Sequence, residues 1–340
     1  ERVIWLSVAE SYCWIGKIRR EKKDYAEARE CFATAHKIKV AILGKPHIES
    51  AEVLHNVGIV CDDLGLHSQS LSCFREALLI RLANVSGAHD INGTYDVCES
   101  LDCIANVYRI KGERQKAMQF FEQCLKRRIR IVSSTAAAPP EKAQVLLLLR
   151  TYEDVIALTK AQARENADGN NETSQKIGNL LVEMGSLYDH KLNKLSKALN
   201  YFQKALQVFQ EQKDYKLIGD TLSLIGVIHV KKSANQKALK CFRDSLVMRK
   251  LASGKKETAG VAETLHNIGN CEAREGQFED SLTSYGESLR IKKRVFPNKE
   301  HLSIAKTEHC IGLAMLQLGN LDGALESFEA SIKVRRALLG

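Results

Sequence analysis

Four prolines in 340 residues leave nearly the whole chain free to be helical, because proline is the strongest breaker of a helix interior. No apolar stretch is long enough for a membrane. The longest wholly apolar run, Val145 to Leu149, falls far short of the roughly 20 residues that a spanning helix needs. The opening residues have no basic start, apolar core and small-residue cleavage site, so no secretory signal is expected. None of the ten cysteines forms a Cys-x-x-Cys pair, and a helical chain of this size needs no covalent staples. Reduced thiols and a cytoplasmic location are therefore expected. Aromatic residues are only 6% of the chain, too few to serve as stacking platforms for nucleic acid bases. A glycine-rich phosphate loop, a nucleophile elbow and an H-E-x-x-H pair are all missing. The sequence thus predicts no enzyme, no cofactor and no catalytic residue. His266, Cys271, His301, His309 and Cys310 come close together in sequence, but residues five apart, such as His266 and Cys271, do not share a helix face. No metal site is expected there.

What the chain has is a repeat. Seven times an aliphatic residue precedes a small one: Ile15-Gly16, Val57-Gly58, Ile104-Ala105, Met184-Gly185, Ile225-Gly226, Ile268-Gly269 and Ile311-Gly312. Each is followed by a small-aromatic-small triplet, such as Ala28/Phe32/Ala35, Ser70/Phe74/Ala77 or Ala238/Phe242/Ser245. The step from small residue to aromatic is 16 residues, except for 17 from Gly185 to Phe202, which calls for one extra turn residue. Gly65, Gly112, Gly276 and Gly319 each fall seven residues after the small position, where a first helix must end in a left-handed residue.

This pattern resembles the tetratricopeptide repeat, a pair of antiparallel helices. The resemblance implies an all-α fold, a right-handed superhelical solenoid of antiparallel helix pairs stabilised by stacking. The repeat period is near 42 residues. Successive small positions lie 42, 47, 80, 41, 43 and 43 residues apart, so the interval of 80 is expected to hold one further, hidden copy. Residues 1–131 should form three hairpins and 173–340 four. Between them, 132–172 should hold a Pro/Ala-rich break followed by a degenerate repeat or a single long helix. The segments LGKPHIESAEVLHNVG (43–58), SGAHDINGTYDVCESLDCIA (86–105) and PNKEHLSIAKTEHCIG (297–312) resemble the linker and first helix of kinesin light chain repeats. The ends RIKKRVF and KVRRALLG are similar to that family's basic helix ends, and the long-repeat subclass also includes nephrocystin-type adaptors. No heptad segment for joining a heavy chain is present. The resemblance implies a groove, lined by first helices, that binds extended segments of partner proteins.

Positions that packing leaves variable and polar are the candidates for that groove: His55, Asn56, Asp62, Asp102, Asn106, Arg109, His266, Asn267 and Asn270. Asn56 and Asn267 stand where kinesin light chains place an asparagine ladder, and other copies carry Trp14, Cys103, Glu183, Leu224 and Cys310 instead. Asparagine suits the role because its amide both donates to and accepts from a peptide backbone. The second position of the first helix carries Glu10, Glu52, Glu99, Asp220 and Glu263, read either as helix-start charges or as an acidic stripe facing the groove. The expected function is an adaptor that holds protein or peptide partners. The alternative is a structural or regulatory part of a larger assembly with a catalytic domain elsewhere. Gly340 falls at an inter-repeat linker, so the last apolar face is expected to be covered by further chain, a partner or a second copy.

The formal charge is +9, and much of it is periodic. Lys39, Arg81, Arg128, Arg249, Lys292 and Arg335 recur at one position near the end of the second helix. Two readings stand: cations complementing helix C-termini and aiding solubility, or a basic edge that recruits acidic partners. Neither amounts to a nucleic-acid site. Binding to duplex DNA should accordingly be weak and should vanish with modest salt; an electrophoretic shift persisting at physiological ionic strength would contradict this reading.

Overall fold

The computed structural model describes residues 1–44, 47–85, 90–133, 141–165, 171–254, 256–296 and 301–338. Gly340, the linker residues 86–89 and 297–300, and most of the Pro/Ala-rich stretch lie outside these. The described residues form fifteen α-helices and no strand, in two compact units.

The first unit, Glu1–Ala167, contains three hairpins and one further helix. The hairpins are α1 (Arg2–Glu21) with α2 (Tyr25–Leu43), α3 (Ile48–Asp63) with α4 (His67–Asn84), and α5 (Ile91–Ile110) with α6 (Arg114–Ser133). The extra helix is α7 (Lys142–Glu165). The second unit, Asp168–Gly340, contains four hairpins. These are α8 (Asn171–His190) with α9 (Leu195–Gln212), α10 (Tyr215–Lys231) with α11 (Asn235–Ala252), α12 (Ala259–Arg274) with α13 (Phe278–Val295), and α14 (Leu302–Gln317) with α15 (Leu321–Ala337). Within each unit, contacts run almost wholly between helices adjacent in sequence.

Among its described residues the 80-residue interval, where a degenerate repeat or a single long helix was expected, contains one helix beyond those of the flanking hairpins, the 24-residue α7. It packs on α6 as the first helices α3 and α5 pack on α2 and α4. Tyr152-Glu153-Asp154-Val155 resembles the start of a second helix, but it lies within α7, with Tyr152 and Val155 buried.

The repeated residues explain the hairpins. The ring at the aromatic position lies across the glycine of the first helix in its own hairpin. A Cβ added to Gly58, Gly226 or Gly269 would sit 2.7 Å from a ring carbon of Phe74, Phe242 or Tyr285. Real Cβ atoms do not approach so closely, so glycine is required for the ring to seat. The other side of the ring meets the next hairpin: Phe32 clusters with Val53 and Val60 of α3, and Phe242 with Ile268 and Cys271 of α12. Small residues 26 apart mark a second close approach of the paired helices. The Oγ of Ser245 donates to the Gly219 carbonyl at 2.6 Å, Ser288 to Ala262 at 2.6 Å and Ser331 to Ala305 at 2.8 Å. In the third hairpin Cys98 and Cys124 occupy these places, both fully buried. All ten cysteines are free thiols.

Three-residue turns join the paired helices, with four residues only between α8 and α9, where the 17-residue step calls for one more. Gly65, Gly112, Gly276 and Gly319 have φ between 73° and 77°, as helix-ending left-handed residues should. Lys23 and Ser233 hold the same place with φ of 68° and 56°, a conformation that costs a residue with a Cβ about 1–2 kcal/mol.

Phe242 is 1% exposed, whereas Phe328 of the last hairpin is only half-buried. Phe242→Ala should therefore cost about 3–5 kcal/mol in urea unfolding, and Phe328→Ala distinctly less.

Candidate functional site

Sequence reasoning placed six cations on a helix end or an exposed edge. The structure puts most of them inside. Lys39, Arg81, Arg128 and Lys292 are at most 6% exposed, and Arg249 is half-buried; only Arg335 lies in the open. Each buried cation reaches from a second helix into the first helix that follows it. The Nη1 of Arg81 donates to the Asp96 carbonyl and to Ser100 Oγ, both at 2.7 Å. Arg128 donates to the Leu147 carbonyl at 3.2 Å and to the Thr151 hydroxyl. Lys292 donates to Thr307 Oγ1 at 2.9 Å and to the Ser303 carbonyl at 3.4 Å. Arg249 donates to the Gly260 carbonyl at 2.6 Å, which also accepts from Thr264 Oγ1. The receiving helix thus offers a carbonyl and, one turn on, a hydroxyl.

Carboxylates supply the counter-charge. Arg81 pairs with Glu99 at 3.2 Å, Arg249 with Asp220 at 2.8 Å, Lys292 with Glu263 at 3.7 Å, and Arg128 with Asp102. Lys39 pairs with Glu49 at 3.1 Å. Three of the five acidic residues at the second position, Glu99, Asp220 and Glu263, thus pair with cations of the ladder. A half-buried ion pair that keeps several hydrogen bonds recovers much of its desolvation cost, and removing one partner leaves a costly buried charge.

The candidate groove residues divide into two kinds. His55 and His266 are buried, their rings tilted against Phe74 and Tyr285 at 5.2 and 5.5 Å, and so are packing residues. His55 Nε2 lies 3.6 Å from Glu99, and His266 Nδ1 lies 3.2 Å from Thr307 Oγ1. Asn270 accepts from the Tyr285 hydroxyl at 2.8 Å, Asp62 holds His67 at 2.9 Å, and Asp102 holds Arg128. Asn106 donates to the Asp102 carbonyl and accepts from the exposed Arg109 at 2.7 Å. Asn56 and Asn267 are half-buried, and their side chains make no hydrogen bond among the described residues.

In the first unit Asn56 lines a cleft of about 420 Å³ spanning α1, α3, α4 and α5. Lys17, Glu49, Glu52, Arg81, Asp96 and Glu99 supply its charge. The His55 imidazole 3.6 Å away, with the Arg81 charge beside it, holds the Glu99 carboxyl down at about 2. Burial pushes Asp96 up, against the pull of Arg81. Lys17 shares the repeat position of Asn106 and Asn270 but lies in a copy that supplies no groove candidate, and Glu49 and Asp96 share a position ahead of those read as groove-facing. Among the described residues no group of three or more His, Cys, Asp or Glu could hold a metal ion, and no helix is long and apolar enough to cross a membrane.

Family models described as "Tetratricopeptide repeat" match residues 7–83 and 260–337, 97–135, and 178–212, together well over half of the chain. The chain belongs to the tetratricopeptide repeat proteins. No curated protein matches this tetratricopeptide chain significantly. Among solved structures it is similar to BtubC (BKLC) from P. vanneervenii, at 12% identity over 81% of this chain and 92% of that one, with a TM-score of 0.47. It is similar to a putative kinesin light chain repeat protein of Podospora anserina at 13% identity over 71% and 95%, TM-score 0.38. MamA from Desulfovibrio magneticus RS-1 is similar at 14% identity over 65% and 96%, TM-score 0.41.

Burial, and after it the Lys292 charge, lowers the pKa of His266 to about 4. The folded chain keeps this ring neutral where the unfolded chain, titrating near 6.5, takes up a proton. Its contribution to stability is therefore complete above about pH 6.5 and is lost progressively as pH falls towards 4. Urea unfolding between pH 7 and pH 4 should show a drop that is smaller in His266→Gln by roughly 2–3 kcal/mol. Parallel curves for the two proteins would place the ring in water.

Proposed function

We propose that the chain is a non-catalytic scaffold that holds an extended segment of a partner protein against its first helices. The observation that carries this reading is the cleft around Asn56. It is a concave, polar site whose asparagine amide is unused by the fold. A peptide backbone needs a donor and an acceptor together, and one amide offers both. Asn267 repeats the arrangement at the same position of the sixth hairpin, in the second unit. The family favours the same reading, since stacked helical hairpins present extended binding surfaces. Lys17, Lys39 and Arg81 pair with three of the four carboxylates of the cleft, and the remaining negative charge favours a partner segment with a basic side chain. A cytoplasmic setting accords with ten free thiols.

Affinity purification with quantitative mass spectrometry tests the proposal. Asn56→Ala with Asn267→Ala should leave the melting temperature nearly unchanged, because neither side chain is bonded within the fold. Capture of partners should weaken by about 1 kcal/mol, roughly fivefold, for each buried hydrogen bond lost. Glu52→Lys should weaken capture of basic partners further. Unchanged recovery of every partner by the double variant would remove the first-helix face as the binding surface.

A further inference from the structure

In the second unit a pocket lies between the second helices α11 and α13, completed by the linker after α11 and by Val261 of α12. Val247 and Leu251 are one turn apart on α11 and are 53% and 55% exposed. They overlook a floor made by Val261 and Ile291, each 2% exposed. The pocket so formed has a volume of about 630 Å³, within the range of roughly 300–1,000 Å³ typical of ligand sites.

The repeat itself does not call for apolar residues at these two places. At the equivalent positions the other second helices carry Lys37 and Ala41, Leu79 and Ala83, Lys126 and Arg130, Gln207 and Glu211, Arg290 and Arg294, and Lys333 and Ala337. Only α11 has a large apolar side chain at both. Exposed apolar residues standing singly need no explanation, but a contiguous patch over a walled pocket does.

The charge at the rim points to the occupant. Glu257 is held by Arg290 at 2.5 Å and by Arg294 at 2.9 Å, and Glu287 by Arg290 at 2.8 Å. The two acidic lining residues are thus already neutralised. Lys250 and Lys256, which also line the pocket, make no ion pair among the described residues. An apolar pocket with unspent positive charge complements a segment that is apolar and acidic.

We propose that the pocket between α11 and α13 docks a partner-protein segment whose bulky apolar side chains are flanked by Asp or Glu. The apolar side chains fill the space over Val261 and Ile291 against Val247 and Leu251, and the flanking carboxylates meet Lys250 and Lys256. This site is independent of the first-helix cleft, so the chain engages partners on two separate surfaces.

Fluorescence anisotropy with two short fluorescein-labelled peptides tests the proposal. Both carry leucine at i and i+4, one with glutamates around them and one with lysines. The glutamate peptide should bind, and the lysine peptide should bind at least about tenfold more weakly. Val247→Glu with Leu251→Glu should weaken the glutamate peptide by about tenfold or more. Lys250→Glu with Lys256→Glu should weaken it similarly and narrow the preference between peptides. All four side chains are at the surface, so melting temperatures report that each variant is folded. The Asn56→Ala and Asn267→Ala variant should bind both peptides as the parent does, which separates this site from the first-helix face. Equal binding of the two peptides, no binding of the glutamate peptide, or insensitivity to Val247→Glu and Leu251→Glu would overturn the proposal. So would sedimentation showing that the Val247→Glu, Leu251→Glu pair converts a dimer to monomers, because the occupant would then be a second copy.

Discussion

An aromatic ring pressed on a glycine sets the geometry of every clear hairpin but the third, where Ala105 replaces the glycine. With the Cα hydrogens of Gly58 or Gly226 facing the ring, the two helices lie close enough for hydroxyls such as Ser245 to reach a carbonyl across the gap. The same ring then presents its other side to the next hairpin, so one side chain joins two levels of packing. This accounts for the uniform 16-residue step. A shift by one residue would carry the ring off the glycine unless the turn lengthened, as it does between α8 and α9.

The buried cations add a polar fastening to this apolar stack. Apolar contact between successive hairpins is non-directional and would tolerate some sliding of one on the next. A guanidinium that must find a carbonyl, a hydroxyl and a carboxylate, as Arg81 does with Asp96, Ser100 and Glu99, has one satisfactory place. The ladder thereby fixes register between hairpins. It also shapes the candidate cleft, because Arg81 and Glu99 are at once fastening and wall. Because Lys39, Arg81, Arg128, Arg249 and Lys292 are each matched by a carboxylate, the net charge of +9 resides in the other residues.

Much of the fold was legible because it follows from spacing. Glycine, aromatic and left-handed turn positions repeat, and each has one structural solution. The destination of Lys39, Arg81, Arg128 and Lys292 was not legible, since a cation near a helix end reads as solvent-facing until the next helix is placed against it. His55 and His266 misled in the same way: polar residues beside a half-buried asparagine, yet turned onto rings of their own hairpins. Asn56 and Asn267, by contrast, stand where other copies carry residues as different as Trp14, Glu183 and Leu224, so no common packing role attaches to that place. In α7 the pair Val155-Ile156 stands where other copies place an aliphatic residue and glycine, which erases the motif while keeping the helix.

Contacts within each unit join helices that are neighbours in sequence, with little reaching farther along the chain. The entropy of closing long loops is therefore small, and folding should be fast for a chain of this length. Structure can nucleate at any hairpin and spread to the next on either side. During synthesis, each new pair of helices leaves the ribosome to find the surface it packs on already formed. Such a chain has little need to wait for its distant parts, and only briefly exposes the apolar faces that would otherwise aggregate.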